Sequence, residues 1–268
     1  MFARDDLLEV AASMDPLPAS SARLTQILSK EDWTLDEVAK TVALDPALTG
    51  RILRYANSAA AGGQQAITEV GIAVMRMGPG MVLSIAMGDG LKEQVDANNP
   101  AEQALWKHSV ASALTVVVLS KSGLKGPDGT FTAALVHDVG KLVIGRKLRS
   151  MGVTLTPAHP DEPWVDEAEQ LGIDHAELGE SVVRSWDLPH EIGAAVRYHH
   201  APHSLEPGPA QEIARHVFAA DLIAHHLDDE EAFYNPHIDG HLGLSRNDQE
   251  KVRLATRKVV EGVMQLYS

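Results

Sequence analysis

Two adjacent residues that can bind a proton or a metal ion, His137 and Asp138, lie in an otherwise apolar stretch, with Lys141 one helical turn later. Adjacent side chains on a helix point about 100° apart, so the pair can converge on an ion that lies beside the helix. A charge that is buried without a partner costs several kcal/mol. The pair therefore needs either hydrogen bonds from neighbouring helices or a bound cation, and both explanations stay open at this point.

The second half of the chain carries further histidine and aspartate residues on separate predicted helices. These additional candidates are His108, His175, His199, His200 and Asp221. The sequence has 13 histidines and no cysteine, so a metal would be held by imidazole and carboxylate groups alone. That mixture suits iron, manganese, zinc and nickel, and the number of ligands suffices for two ions that share Asp138 as a bridge.

Helical periodicity and capping residues predict the elements that position these side chains. In the first half they predict six helices. Three are given by their ranges, 3–12, 68–77 and 79–91. The others run from Ser20 or Ser21 to Lys30, begin directly after Thr34, and run from Asp45–Pro46 to Asn57–Ser58. Thr34 with Glu37 has the pattern of a capping box, and Asp45 precedes a proline in the first turn. A loop of small residues is predicted at 59–65.

The same signals predict the helices of the second half at 101–122, about 131–148, 163–171, 175–186, from Pro189 to His199–His200, 210–227 and 246–266. Asp174 is the predicted cap of the helix that begins at His175. An irregular stretch precedes the last helix. No segment shows the alternation of a strand, so we predict an all-α protein. The polar segment Gln94–Pro100 predicts two packed helical subdomains, 1–95 and 96–268.

The composition is that of a globular protein, with 44% hydrophobic and 22% charged residues in a chain of 268. The net charge of −14 disfavours nonspecific binding to DNA or RNA, which requires lysine and arginine to neutralise phosphates. No segment reaches the roughly 18 apolar residues of a membrane span, and the N-terminus lacks the pattern of a secretory signal. We therefore expect a cytoplasmic protein without a membrane or nucleic-acid partner.

Several motifs resemble one known family. The series His108, His137–Asp138 with Lys141, His175, His199–His200 and Asp221 resembles the HD superfamily of metal-dependent phosphohydrolases. The stretch LDPALTGRILRYANS at 44–58 resembles the N-terminal signature of the HDOD domain, a bacterial signalling output module. The segments Ala73–Gly78, Asp174–Gly179, Trp186–Pro189 and Tyr198–His200 also resemble it. The resemblance extends over residues 10–228.

This resemblance implies a multi-helical fold with a site for one or two divalent ions of iron, manganese, zinc or nickel. The implied ligands are His108, His137, Asp138, His175, His199, His200 and Asp221. If the protein is an enzyme, Asp138 and Lys141 are the catalytic candidates. HDOD domains resemble the HD-GYP cyclic-di-GMP phosphodiesterases, but most lack a full ligand set and act through protein contacts. This sequence has the full set but no Gly-Tyr-Pro, because Ala201 and Pro202 follow the histidine pair.

Two functions follow from the resemblance. The first is a bacterial signal-transduction module that acts mainly through contacts with a partner protein and carries a metal site. The alternative is a metal-dependent phosphohydrolase acting on a nucleotide or cyclic dinucleotide, so that a nucleotide second messenger is a candidate ligand.

Three aromatic residues and four further histidines are predicted to have structural positions and no role in binding or catalysis. We expect Trp106, Trp186 and Tyr198 in the core, and His225, His226, His237 and His241 at the surface or in loops.

Overall fold

A computed structural model of the protein describes residues 4–15, 17–28, 30, 32–58, 66–150 and 165–267. Within these ranges the chain forms helices joined by turns, and no strand. The prediction of an all-α protein is therefore confirmed. The predicted loop at 59–65 and the first residues of the predicted helix at 163–171 lie outside the described residues.

The first half of the chain contains short helices that begin where capping residues predict. They are α1 (Arg4–Ala12), α2 (Ala19–Leu28), α3 (Leu35–Ala43), α4 (Pro46–Ala56), α5 (Val70–Met77) and α6 (Pro79–Glu93). Thr34 and Glu37 form the predicted capping box of α3, because each side chain binds the backbone N–H of the other residue. Asp45 accepts a hydrogen bond from the N–H of Leu48 and so caps α4.

The second half contains the helices that carry the candidate ligands. They are α7 (Pro100–Lys121), α8 (Thr130–Val136), α9 (Val139–Ser150), α10 (Val165–Leu171), α11 (His175–Ser185), α12 (His190–Arg197), α13 (Pro209–His225), α14 (Pro236–Leu242) and α15 (Arg246–Met264). Asp174 caps α11 by accepting from the N–H of Glu177, as predicted. A single 3-10 turn, Pro202–Ser204, lies between α12 and α13.

The prediction of one continuous central helix at about 131–148 is wrong, because the helix is interrupted at His137 and Asp138. The Nδ1 atom of His137 lies 2.8 Å from the carbonyl oxygen of Ala134. In an uninterrupted helix that oxygen would accept from the N–H of Asp138, four residues later. At the break the His137 ring approaches this acceptor, and α9 begins with a bond of 2.9 Å from the N–H of Lys141 to the Asp138 carbonyl.

Two further expectations from the sequence are also corrected. The stretch before the last helix contains α14, capped by Asn235, whereas we predicted it to be irregular. Tyr198 is 38% exposed and not in the core, because it follows the end of α12 at the surface. Trp106 is buried at 1% exposure, and its Nε1 donates to the carbonyl of Gly88 at 2.8 Å, as a core tryptophan requires.

Helix α7 lies at the centre of the packing and contacts α6, α8, α13 and α15. Helices α11 and α12 complete the layer around the break between α8 and α9. The main hydrophobic core includes residues from both halves of the chain, and α1 packs on α9 and α11. The division into subdomains 1–95 and 96–268 stays a prediction.

No single helix among the described residues is long and apolar enough to cross a membrane. Helices α5 and α6 reach the necessary length and apolarity only as a pair, and a bend of 105° separates them.

Candidate metal centre

The seven residues proposed as ligands come from five places in the fold, and their side chains meet in one cluster. His108 lies on α7, His137 and Asp138 lie in the break before α9, His175 begins α11, His199 and His200 follow α12, and Asp221 lies on α13. All of them except His108 and His200 are buried. The cluster reaches solvent at exposed His200 and at His108 and Lys141, whose side chains are 12% and 15% exposed.

At one end of the cluster, two imidazoles lie close to a single carboxylate oxygen. The Nε2 atom of His108 is 2.9 Å from Oδ1 of Asp221, and Nε2 of His137 is 3.5 Å from the same oxygen. The two Nε2 atoms are 3.3 Å apart. Two ligand atoms bound to one ion at about 2.1 Å lie roughly 3.0–3.4 Å apart, so these separations suit ligands of one metal ion.

The two oxygens of Asp138 face different neighbours. Oδ2 accepts from Nζ of Lys141 at 2.6 Å and lies 3.5 Å from Nε2 of His137. Oδ1 lies 3.4 Å from Nε2 of His175 and 3.8 Å from Nε2 of His199. Asp138 therefore lies between the two ends of the cluster, in the position that a bridging carboxylate would need.

The other end of the cluster consists of His175, His199 and His200. The Nε2 atoms of His175 and His200 are 3.1 Å apart, and the rings of His199 and His200 are 3.8 Å apart. These three residues can each direct one nitrogen at a common point. Glu167 on α10 supports them, because its Oε2 lies 2.7 Å from Nδ1 of His175 and 2.8 Å from the backbone nitrogen of the same residue.

Three of the histidines are oriented by oxygen acceptors behind them. Nδ1 of His137 faces the Ala134 carbonyl, Nδ1 of His199 faces the Val196 carbonyl at 2.6 Å, and Nδ1 of His175 faces Glu167. An oxygen of these types can only accept, so we infer that each Nδ1 carries the proton. The Nε2 atom of each ring then faces the cluster, which is the arrangement of histidines that bind metals.

Three buried polar atoms of the cluster have no hydrogen-bond partner among the described residues: Oδ1 of Asp138, Oδ1 of Asp221 and Nε2 of His199. Buried polar atoms are nearly always satisfied, since an unsatisfied one costs about 1–3 kcal/mol. Imidazole nitrogens lie near both carboxylate oxygens but are not aligned to donate. The donor set, with unpaired nitrogen and oxygen lone pairs that converge, fits a divalent transition-metal ion.

The carboxylates of the cluster are held in their ionised form. Burial would raise the pKa of Asp138, but the charges of Lys141 and His137 outweigh it and hold that pKa well below its usual range. Burial would also raise the pKa of Asp221, but the neighbouring rings of His108 and His137 outweigh it and hold that pKa well below its usual range. Both side chains are therefore anionic at neutral pH, as metal ligands must be.

Most of the shifted histidines are held in their neutral form. Burial and the adjacent His200 ring lower the pKa of His199 well below its ordinary value. His200 is exposed as a residue, but the enclosure of its imidazole by the cluster and the neighbouring His175 lower its pKa to about 4. Burial lowers the pKa of His108 despite the opposing charge of Asp221. His137 differs, because Asp138 and Asp221 outweigh burial and raise its pKa.

The expectation that His225 is a surface or loop residue is wrong. It lies in the last turn of α13, with Nε2 3.3 Å from Oδ1 of Asp221 and its ring stacked on His108 at 4.1 Å. The spacing of four residues from Asp221 is a signal in the sequence that would have identified His225, because residues four apart share a helix face. His226 points elsewhere and pairs with Asp229 at 2.7 Å. Glu167 was also missed, since only the fold brings α10 beside His175.

The model of the HDOD domain family matches residues 14–202, which is most of the chain. This chain belongs to the HDOD domain family. It is 22% identical over 232 residues to an uncharacterized protein of Treponema pallidum (strain Nichols), a match that covers 82% of this chain and 44% of that one. The chain thus spans less than half the length of this curated relative.

Solved structures share the fold. A candidate signal transduction protein from Marinobacter aquaeolei has a TM-score of 0.72 at 20% identity, over 99% of this chain and 60% of that one. A candidate phosphohydrolase from Shewanella amazonensis has a TM-score of 0.68 at 23% identity, over 97% of both chains. An HDOD domain protein of unknown function from Geobacter sulfurreducens has a TM-score of 0.68 at 22% identity, over 98% of both.

Proposed function

We propose that this HDOD protein binds divalent transition-metal ions in the cluster and hydrolyses a phosphoester there. The observation that carries the proposal is the set of buried, unpaired atoms that converge, Oδ1 of Asp138 and Nε2 of His199 at one end and Oδ1 of Asp221 at the other. A fold that acts only through surface contacts has no need for such atoms in its interior, and an apolar core would be more stable. The candidate phosphohydrolases among the structural relatives support the proposed reaction class.

A bound divalent ion would supply Lewis acidity, which polarises a phosphoryl oxygen and makes water a better nucleophile at neutral pH. The chain supplies the rest. Lys141 holds Asp138 in its ionised form through a contact of 2.6 Å. Glu167 and the carbonyls of Ala134 and Val196 fix the histidine rings, so that no reorganisation is needed when an anionic phosphoester binds.

The substrate class follows from access and charge. The cluster opens to solvent on the side of His200 and Lys141, where a phosphate group can approach. The net charge of −14 makes a small phosphoester more suitable than a polyanionic nucleic acid. The chain lacks the Gly-Tyr-Pro that follows the histidine pair in the HD-GYP phosphodiesterases it resembles, so cyclic-di-GMP is one candidate among nucleotide phosphoesters.

The test is hydrolysis by protein purified without chelator and loaded with Mn²⁺ or Fe²⁺. The substrates are p-nitrophenyl phosphate, bis-(p-nitrophenyl) phosphate and cyclic-di-GMP. We expect metal-dependent turnover of at least one of them, lost in Asp138→Ala and retained in His226→Ala, which changes a histidine outside the cluster. Metal-loaded wild-type protein that hydrolyses none of the three would contradict the proposed reaction.

A second candidate function, signalling through contact with a partner protein, is favoured by a different observation. Four of the six exposed large hydrophobic residues described belong to the region of α3 to α5: Leu35, Leu44, Ile72 and Met75. Leu44 is 86% and Met75 67% exposed. Helices α3, α4 and α5 pack on one another, so these residues belong to one part of the surface. Exposed apolar residues that are grouped in this way are typical of protein interaction sites.

Pull-downs can separate the two functions. The baits would be wild-type protein, His137→Ala/Asp138→Ala and Leu44→Ser/Met75→Ser, each checked for folding by circular dichroism. A signalling contact on α3 to α5 predicts a partner retained by the first two proteins and lost by the third. Loss of every partner from the folded His137→Ala/Asp138→Ala protein would show that the metal centre is integral to partner binding.

A further inference from the structure

Helix α13 presents two potential ligands on one face, Asp221 and, one turn later, His225. Asp221 is one of the seven candidate ligands predicted from the sequence, whereas His225 is not. The α13 helix packs along α7, which carries His108. Three residues from two helices therefore meet at this end of the cluster, and each can direct one atom at a common point.

The distances around Asp221 distinguish two explanations for His225. In the first, His225 is merely an ion-pair partner of the carboxylate. An ion pair with hydrogen bonding requires an N–H that points at the oxygen. Yet Oδ1 of Asp221 has no aligned hydrogen bond, although Nε2 of His108, His225 and His137 lie 2.9, 3.3 and 3.5 Å away.

In the second explanation the three atoms share an ion. Ligands of one ion point at a position between them and not at one another, which gives short separations without hydrogen-bond alignment. The rings of His108 and His225 are stacked at 4.1 Å with an interplanar angle of 25°. One nitrogen of each ring and one carboxylate oxygen of Asp221 lie within 4.8 Å of one another, so a small rotation of the rings would let all three contact one ion.

We propose that His225 is a metal ligand and that His108, Asp221 and His225 together hold one divalent ion at this end of the cluster. This inference rests on the proposed function, because it assumes that the cluster binds metal. It adds a third imidazole to an end that His108 and His137 already make rich in nitrogen. Nitrogen ligands favour iron, cobalt, nickel and zinc over magnesium and calcium, which prefer oxygen. The site at this end therefore selects against Mg²⁺ and Ca²⁺.

The experiment is a Co²⁺ titration of the purified, chelator-treated protein, followed by visible absorption and by calorimetry. Co²⁺ reports both the number of bound ions and their coordination. The variants are His225→Ala and His225→Gln, and the matched control is His226→Ala, the next residue, which contacts Asp229 and Phe233 outside the cluster. Melting curves in chelator show that each variant folds without metal.

We expect wild type and His226→Ala to give the same spectrum and stoichiometry. Both His225 variants should lose one class of bound Co²⁺ or bind it at least about tenfold more weakly, with a changed absorption band. His225→Asp should in turn raise the affinity for Mn²⁺ relative to Co²⁺. Identical titrations and spectra for wild type and the His225 variants would overturn the assignment of His225 alone. Absence of Co²⁺ binding by the wild type would overturn this assignment and the proposed function together.

Discussion

Lys141 and Asp138 form a contact of 2.6 Å that occupies only one oxygen of the carboxylate. The other oxygen, Oδ1, is buried and unpaired and faces His175 and His199. The ammonium group thus neutralises the charge of Asp138 without taking its remaining lone pairs. Because Lys141 contacts Oδ2 alone, Asp138 can stay ionised in the interior and still bind a metal ion through Oδ1.

Replacement of Lys141 by methionine should destabilise the metal-free protein by up to about 3 kcal/mol, because it leaves a buried carboxylate without its cation. Urea unfolding in the presence of chelator measures the change. The matched control is Lys147→Met on the same helix, whose ion pair with Asp6 lies at the surface and should contribute less than about 1 kcal/mol. Added Mn²⁺ should restore part of the loss in Lys141→Met. Equal effects of the two substitutions would contradict the role given to Lys141.

Glu167→Gln should weaken metal binding by about 10–100-fold while the fold is retained, because Glu167 orients His175 through Nδ1. Competition with a fluorescent chelator gives the affinity. Glu169→Gln is the matched control, since Glu169 is an exposed residue of the same helix. Metal binding as tight as that of the wild type in both variants would contradict this role of Glu167.

Gly140→Ala should disturb the centre through the backbone. A Cβ atom at this position would collide with the carbonyl oxygen of His175 and lie 2.8 Å from the backbone nitrogen of Gly179. Helices α9 and α11 could then not approach as they do, at a cost of about 1–3 kcal/mol or more. Gly71→Ala on α5 has open space around it and should be neutral or slightly stabilising. Thermal melting of both variants decides, and similar melting temperatures would count against the close helix contact.

The metal-free protein should lose stability as the pH falls from about 6.5 towards 4, because the pKa of His200 is lowered to about 4 and that of His199 is lowered well below its usual range. The unfolded chain binds more protons than the folded chain in this window, so stability rises with pH across it. Melting curves in chelator between pH 7 and 4.5 test this. His200→Gln should flatten the dependence and His226→Gln should not. An unchanged slope in His200→Gln would refute the assignment.

The parts of the fold that local signals determine could be predicted from the sequence. Thr34, Asp45 and Asp174 cap helices as expected, because a cap depends on a few neighbouring residues. The interruption at His137 could not be predicted, since the apolar periodicity continues through it. At the break the His137 ring contacts the Ala134 carbonyl, and apolar periodicity does not encode such a side-chain contact.

The residues of the candidate site could be predicted from the sequence only in part. His108, His137, Asp138, His175, His199, His200 and Asp221 were recognisable as a series, and the structure brings them together. Their role as ligands is still a prediction. His225 meets His108 because α13 packs on α7, and Glu167 of α10 meets His175 at the start of α11. The contact between His225 and His108 joins residues far apart in the chain, and the contact between Glu167 and His175 depends on the turn between α10 and α11, so helical periodicity predicts neither.

The central claim, that the cluster is a metal centre organised around Asp138, is tested most directly by melting wild type and Asp138→Ala with Mn²⁺ or Fe²⁺ and with chelator. An ion at 100 times its Kd adds about 2.7 kcal/mol of stability. Since 1 kcal/mol moves Tm by about 2–4 °C in a chain of this size, the wild type should gain about 5–10 °C. Asp138→Ala should gain much less, because it lacks the carboxylate that lies between both ends. A wild type with no metal-dependent shift and no bound metal by elemental analysis would contradict the account.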